Sequence, residues 1–161
     1  MSEVNKDESW RGKIGGLQSE EFESFLAEGK IARLACLDKD GWPYVVPCWF
    51  EWDVDSFWVI PRLKSAWAEY LDVNPKCAIT VDEEGALRKV IAQCEATKVE
   101  GPNLGGQWVP IAERMSVRYL GPNGPKYLEP TLDKKRWLFR LDPVRMWSWK
   151  GVDWAKHYKE D

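Results

Sequence analysis

The sequence predicts a mainly β, α+β protein: a closed or nearly closed antiparallel barrel of six to seven strands with short helices on its periphery. Three observations predict it. Six or seven strand-like apolar runs are separated by Gly-, Pro- and Asp-rich turns. Helical patterns are inserted at intervals and do not alternate with the strands as they would in a doubly wound parallel sheet. Neither GxGxxG after a strand nor a Walker-type phosphate loop occurs. At 161 residues the chain has the length of one domain and can bury a substantial core.

Residues 1–16 are polar and read as a flexible arm ahead of a domain over 17–161; they lack the apolar centre of a signal peptide. SEEFESFLAEG (19–29) is a helix. Ser19 caps it, Glu20 and Glu21 suit the positive end of its dipole, Gly29 stops it, and Phe22, Phe25 and Leu26 share one face. IARLACL (31–37) is a strand closed by the DKDG turn at 38–41. The stretch DGWPYVVPCWFEWDVDSFWVIP (40–61) reads as a hairpin of strands 43–52 and 56–61 joined at Asp53–Asp55, with prolines and indoles inside it. SAWAEYLD (65–72) is a short helix with Trp67, Tyr70 and Leu71 on one stripe, and Pro75 lies beyond its end. KCAITVD (76–82) and, after the EEGA turn, RKVIAQCEATKVE (88–100) are strands. GPNLGG (101–106) is a loop, 107–121 contains a helix entered near Pro110, and GPNGP (121–125) is a break. RWLFRLD and VRMWSWK are two closing strands separated by Pro143.

Composition narrows the function. The net charge is −3 and the basic residues are spread along the chain, so no nucleic-acid partner is expected. No apolar run approaches the roughly 18 residues of a membrane span, and the expectation is a soluble cytoplasmic protein. Cys36, Cys48, Cys77 and Cys94 sit in apolar strand contexts without a CxxC pair and read as buried reduced thiols. His157 is the one histidine, which argues against a His-rich zinc site or a hydrolytic triad, and no metal is expected. An enzyme with this inventory takes its chemistry from an organic cofactor. The 11 tryptophans serve packing in core and interface, or a platform for a flat aromatic ligand. One anion cradle stands out in IPRLKSAW (60–67): a strand ends, Arg62 and Lys64 supply cations, and Ser65 opens a helix whose free N–H groups point backward. The alternative there is a solvated loop with an ordinary helix cap.

In this order and spacing, IARLACLDKDGWPYVVPCWF, SAWAEYLDVNPKCAITV, RKVIAQCEATKVE and LDPVRMWSWKG resemble segments of the pyridoxamine 5'-phosphate oxidase-like family of flavin-binding split barrels, from about Leu17 to about Lys150. The resemblance implies a homodimer with FMN, or a deazaflavin coenzyme, in a groove between subunits. Together with the anion cradle it gives as candidate cofactor contacts Val46, Pro47 and Cys48 on the strand beside that groove, Ile60, Pro61, Arg62, Lys64, Ser65 and Trp67 in the cradle, and Lys89 and Trp149. Pro43 and Pro47 remove ladder donors, which fits an edge or bulged strand beside that groove.

Several positions depart from the family. Trp67 stands where the S-x-K lysine neutralises the cofactor phosphate. Val46 and Glu51 stand where true pyridoxamine phosphate oxidases keep an Arg and a Lys, Lys89 replaces a glutamine, and the C-terminal Arg-x-His becomes Ala155 and His157. Arg62, Lys64 and Lys89 are the cations available to restore the lost charge. The expected function is therefore an FMN-dependent oxidoreductase acting on a small organic molecule other than pyridoxamine 5'-phosphate, with no catalytic side chain assigned. The alternatives are a deazaflavin-dependent reductase, or a non-catalytic heme-, tetrapyrrole- or flavin-binding protein on the same fold.

Overall fold

A computed structural model describes residues 16–151. The arm expected over 1–16, apart from Gly16, and Ala155 and His157 lie outside the described residues. Helix α1 (Ser19–Ala27) leads into β1 (Ala32–Leu37), β2 (Pro43–Cys48), β3 (Glu51–Asp53) and β4 (Ser56–Val59). Then come α2 (Ala66–Val73), β5 (Lys76–Asp82), β6 (Lys89–Asn103), α3 (Trp108–Leu120), α4 (Gly124–Leu128) with a 3-10 turn at Glu129–Thr131, and β7 (Arg136–Trp149). The strands form one seven-stranded antiparallel sheet in the order β2-β1-β5-β6-β7-β4-β3.

The two edge strands of that sheet, β2 and β3, are consecutive in the chain, with Trp49 and Phe50 alone between them. Three Cα steps reach roughly 11 Å at most. The sheet therefore curls until its edges meet at that crossing and diverge beyond it: a split barrel. Tyr119 of α3 pins the crossing. Its hydroxyl accepts the Phe50 N–H at 3.2 Å and donates to the Lys30 carbonyl at 2.8 Å, while its ring stacks on Trp49 at 4.7 Å and 1°. Burial pushes the phenol up to about 12, so it keeps its proton and its donor role.

The expected hairpin of 43–52 with 56–61 is corrected by this topology. Residues 43–48 pair with β1, and the short β3 pairs with β4 at the far edge of the sheet. Apolar and aromatic residues run on through Trp49 and Phe50, so the pattern carries no mark of the change of partner. The edge position expected from the prolines is observed: β2 has β1 as its single sheet neighbour, with Pro43 opposite Leu37 and Pro47 opposite Arg33. Pro143 likewise does not divide two strands. Cys94 faces Pro143 and Gln93 faces Arg145, leaving Val144 as an extra residue, and this bulge absorbs the proline inside one continuous β7. The sequence 121–125 is a turn only in part, because Gly124 and Pro125 open α4. Helix α3 starts two residues before Pro110 and is capped from β6, where the Glu100 carboxylate accepts the N–H groups of Gln107 at 2.9 Å and Trp108 at 3.3 Å.

The barrel core contains Phe22, Phe25 and Leu26 of α1 against Leu34, Phe57, Ile79, Val81 and Leu141. A second cluster lies under α3 and α4: Trp108, Ile111, Ala112, Met115, Leu128 and Leu138, with Trp49, Trp58 and Ile60 packed against it. Cys36, Cys77 and Cys94 are buried free thiols and Cys48 is half-buried; burial pushes Cys48 and Cys77 up to about 12. No described helix is long and apolar enough to cross a membrane.

Candidate functional site

A cavity of about 440 Å³ opens between the barrel and the second core, within the range of small-molecule and cofactor sites. β2 and the crossing contribute Pro47, Cys48 and Trp49; the end of β4 and the following turn contribute Ile60, Pro61, Arg62 and Ser65. Trp67 enters from α2, and Ala112, Met115, Ser116, Tyr127, Leu128 and Arg136 complete the wall from α3, α4 and β7. Pro47, Cys48, Ile60, Pro61, Arg62, Ser65 and Trp67, all expected from the sequence, thus share one space.

The 62–65 segment is a closed turn. The Ser65 N–H donates to the Arg62 carbonyl at 2.9 Å, and the Arg62 N–H donates to Ser65 Oγ at 3.1 Å. Ser65 stands at the N-cap of α2, yet its hydroxyl caps none of the helix N–H groups. Trp67 is 8% exposed and belongs to the barrel core, so an apolar indole fills the place of the family lysine at the cavity wall. Cys48 keeps its proton and is not a ready nucleophile.

Other expected residues fall elsewhere. Val46 is half-buried against the barrel core and does not line the cavity. Lys64 is exposed in the turn and points no atom into the lining. Lys89 does not reach the cradle of its own chain. It opens β6, a strand of 15 residues that spans roughly 45 Å when extended, and Asn103, which faces Arg136, closes it. Lys89 pairs instead with Trp149, its ammonium 5.6 Å from the indole centroid. The Trp149 N–H is buried there without an acceptor among the described residues.

Arg136 is the residue that sequence reasoning missed. It follows two lysines at the start of a strand, a pattern indistinguishable from a solvated basic turn. In the fold it is half-buried, donates from Nη2 to Thr131 Oγ1 at 3.0 Å and lies 5.5 Å from the Trp108 ring centroid. Its Nε is buried with no partner among the described residues. Burial first, and then the nearby Arg62 charge, push the guanidinium below its ordinary value, partly offset by Tyr127.

The cavity therefore joins a cationic end, Arg62 and Arg136, to an apolar and aromatic wall, and among the described residues no carboxylate or imidazole lines it. Such a surface is suited to a flat, anionic molecule. Among the described residues no group of His, Cys, Asp or Glu side chains is placed to hold a metal ion.

Comparison with known proteins agrees with the fold. A conserved hypothetical protein from Mycobacterium tuberculosis superposes with a TM-score of 0.69 at 23% identity, over 90% of this chain and 91% of its own. An F420 reductase superposes with 0.62 at 23% identity, over 77% and 94%. An FAD-binding protein from Mesorhizobium loti gives 0.58 at 24% identity, over 82% and 91%. At these identities the likeness is one of fold. No curated protein is matched. The sequence model described as pyridoxamine 5'-phosphate oxidase matches residues 18–150, and the chain belongs to that family.

Proposed function

We propose that the protein is a homodimeric flavin-dependent oxidoreductase that holds FMN in the cavity between barrel and α3–α4, acting on a small organic substrate. The observation that carries this reading is the pairing of an acid-free, two-arginine end with an aromatic wall in one cavity. FMN has that polarity: a phosphate at one end, a flat ring at the other. The residues present fit it, because the opposed Arg62 and Arg136 side chains line the same cavity as the aromatic wall. When bound, the flavin supplies hydride transfer. Arg62 and the turn closed by Ser65 hold the phosphate end. Ile60, Pro61 and Trp49 exclude water from the ring, and the protonated Cys48 leaves the redox step to the cofactor.

The deciding experiment is a titration of the purified protein with FMN, read by visible absorbance and flavin fluorescence. Saturable binding at micromolar concentration or tighter is expected. No binding of FMN together with binding of the deazaflavin coenzyme moves the reading to a deazaflavin reductase. A heme absorption band in place of either moves it to a tetrapyrrole-binding protein.

A further inference from the structure

Arg62 and Arg136 face each other directly. They form an isolated antiparallel bridge, framed by the Leu63 N–H donating to the Lys135 carbonyl at 3.1 Å and the Trp137 N–H donating to the Pro61 carbonyl at 3.0 Å. That pattern makes 62 and 136 a non-hydrogen-bonded pair, the arrangement in which opposed side chains come closest and point to the same face. Like charges at such a pair destabilise a sheet. Here both guanidinium-bearing chains also line the same cavity.

Among the described residues no carboxylate pairs with either guanidinium. The neighbour of Arg136 on β6 is the neutral Asn103. Asp133, the closest carboxylate in sequence, pairs with Lys134 at 2.9 Å. Thr131 takes one of the five guanidinium N–H groups of Arg136 and Trp108 takes its face. The Arg136 Nε is buried out of reach of the cavity and, like the Oδ1 of Asn103 opposite it, has no partner among the described residues, so the anion would be met by the Nη groups. A half-buried cation opposed by a second cation, both side chains lining one cavity, has the form of a site awaiting an anion.

We propose that Arg62 and Arg136 together form a phosphate-monoester subsite, in which Arg136, on β7, supplies the charge that Trp67 has removed from α2. A bridging dianion accepts donors from both guanidinium groups and converts their repulsion into mutual attraction through the ligand. The proposal rests on reading the cavity as a cofactor site, but its test separates the two.

The test compares FMN with riboflavin, which lacks the phosphate, by titration calorimetry on the wild type, Arg136→Gln, Arg136→Lys and Arg62→Ala. Thermal unfolding with and without inorganic phosphate is followed on the same proteins. Wild type is expected to prefer FMN. Arg136→Gln should reduce the FMN-to-riboflavin affinity ratio about ten- to a hundredfold, the loss of one or two charge-assisted bonds, with riboflavin affinity unchanged. Arg136→Lys should keep most of the ratio. Inorganic phosphate should raise the melting temperature of wild type but not of Arg136→Gln. A ratio unchanged in both Arg136→Gln and Arg62→Ala overturns the subsite while leaving the cofactor site in place. If wild type binds neither flavin, the cofactor reading fails, and phosphate protection decides the subsite alone: its presence in wild type and loss in the variants supports it, its absence from wild type overturns it. Should Arg136→Gln not fold, the exposed Arg62→Ala carries the same comparison.

Discussion

Glu51 shows how a single position changes meaning between sequence and structure. By resemblance it replaces a lysine beside the cofactor phosphate, and an acid there would repel an anion. In the fold the residue is 6% exposed and its carboxylate is turned to α3, where Arg114 Nη2 and Nε donate to it at 2.6 and 2.9 Å and Arg118 Nη2 at 3.5 Å. It does not line the cavity. The acid is neutralised locally and ties β3 to α3 beside the point where the barrel edges meet. Glu51→Gln should therefore lower stability by about 1–3 kcal/mol, the contribution of hydrogen bonds to charged groups, while FMN affinity stays at the wild-type value. Denaturant unfolding and a flavin titration on the same variant check the two halves; a loss of affinity without a loss of stability would place Glu51 in the site after all. Glu51→Lys, which restores the family cation, should be worse than Glu51→Gln, because it sets a third positive charge against Arg114 and Arg118.

Among the elements, α3 and α4 are the insertion that roofs the cavity, and their close approach depends on Gly124. A Cβ on that residue would fall 2.1 Å from the Ser116 carbonyl oxygen and 2.2 Å from its carbon. Those are backbone atoms, so α4 would have to move bodily away from α3. Gly124→Ala should cost about 1–3 kcal/mol, as overpacking does. It should also weaken ligand binding, since Tyr127 and Leu128 of α4 line the cavity. Melting temperature and flavin affinity measured together distinguish it from Glu51→Gln, which moves the first alone. The same elements show what could be read in advance. The runs that became β1, β5 and β6 and the opening of α2 at Ser65 were legible because periodicity and turn chemistry are local. The transfer of the chain from one sheet edge to the other at Trp49–Phe50 was not, because either partner buries the same apolar residues. Arg136 was hidden for a related reason: its meaning comes from standing opposite Arg62, a contact between residues 62 and 136 that no local pattern records.

At the scale of the molecule, the residues expected to touch the cofactor fall into two groups at opposite ends of the sheet. Arg62, Ser65 and Trp67 line the cavity. Lys89 and Trp149 pair with each other at the far ends of β6 and β7. A two-fold axis that places the second group of one subunit over the cavity of another resolves the separation, because an isologous dimer builds two equivalent sites at once. The outer surface is suited to such contact: Trp42 is 72% exposed, with Val45, Tyr44 and Val144 also exposed, and aromatic and apolar side chains of this kind concentrate in interface cores. We propose that the protein is this dimer, and complementation tests the geometry. Arg62→Ala and Trp149→Ala homodimers should each bind FMN weakly, because every site carries one lesion. When the two are mixed, dissociated and reassociated at random, half the dimers are mixed, and each of these holds one site with both lesions and one with neither. About a quarter of all sites should regain wild-type affinity, seen as a tight phase in the FMN titration. No tight phase in a mixture whose subunits have demonstrably exchanged would mean that each site is built within one chain, and a monomer by sedimentation equilibrium at micromolar concentration would remove the dimer itself.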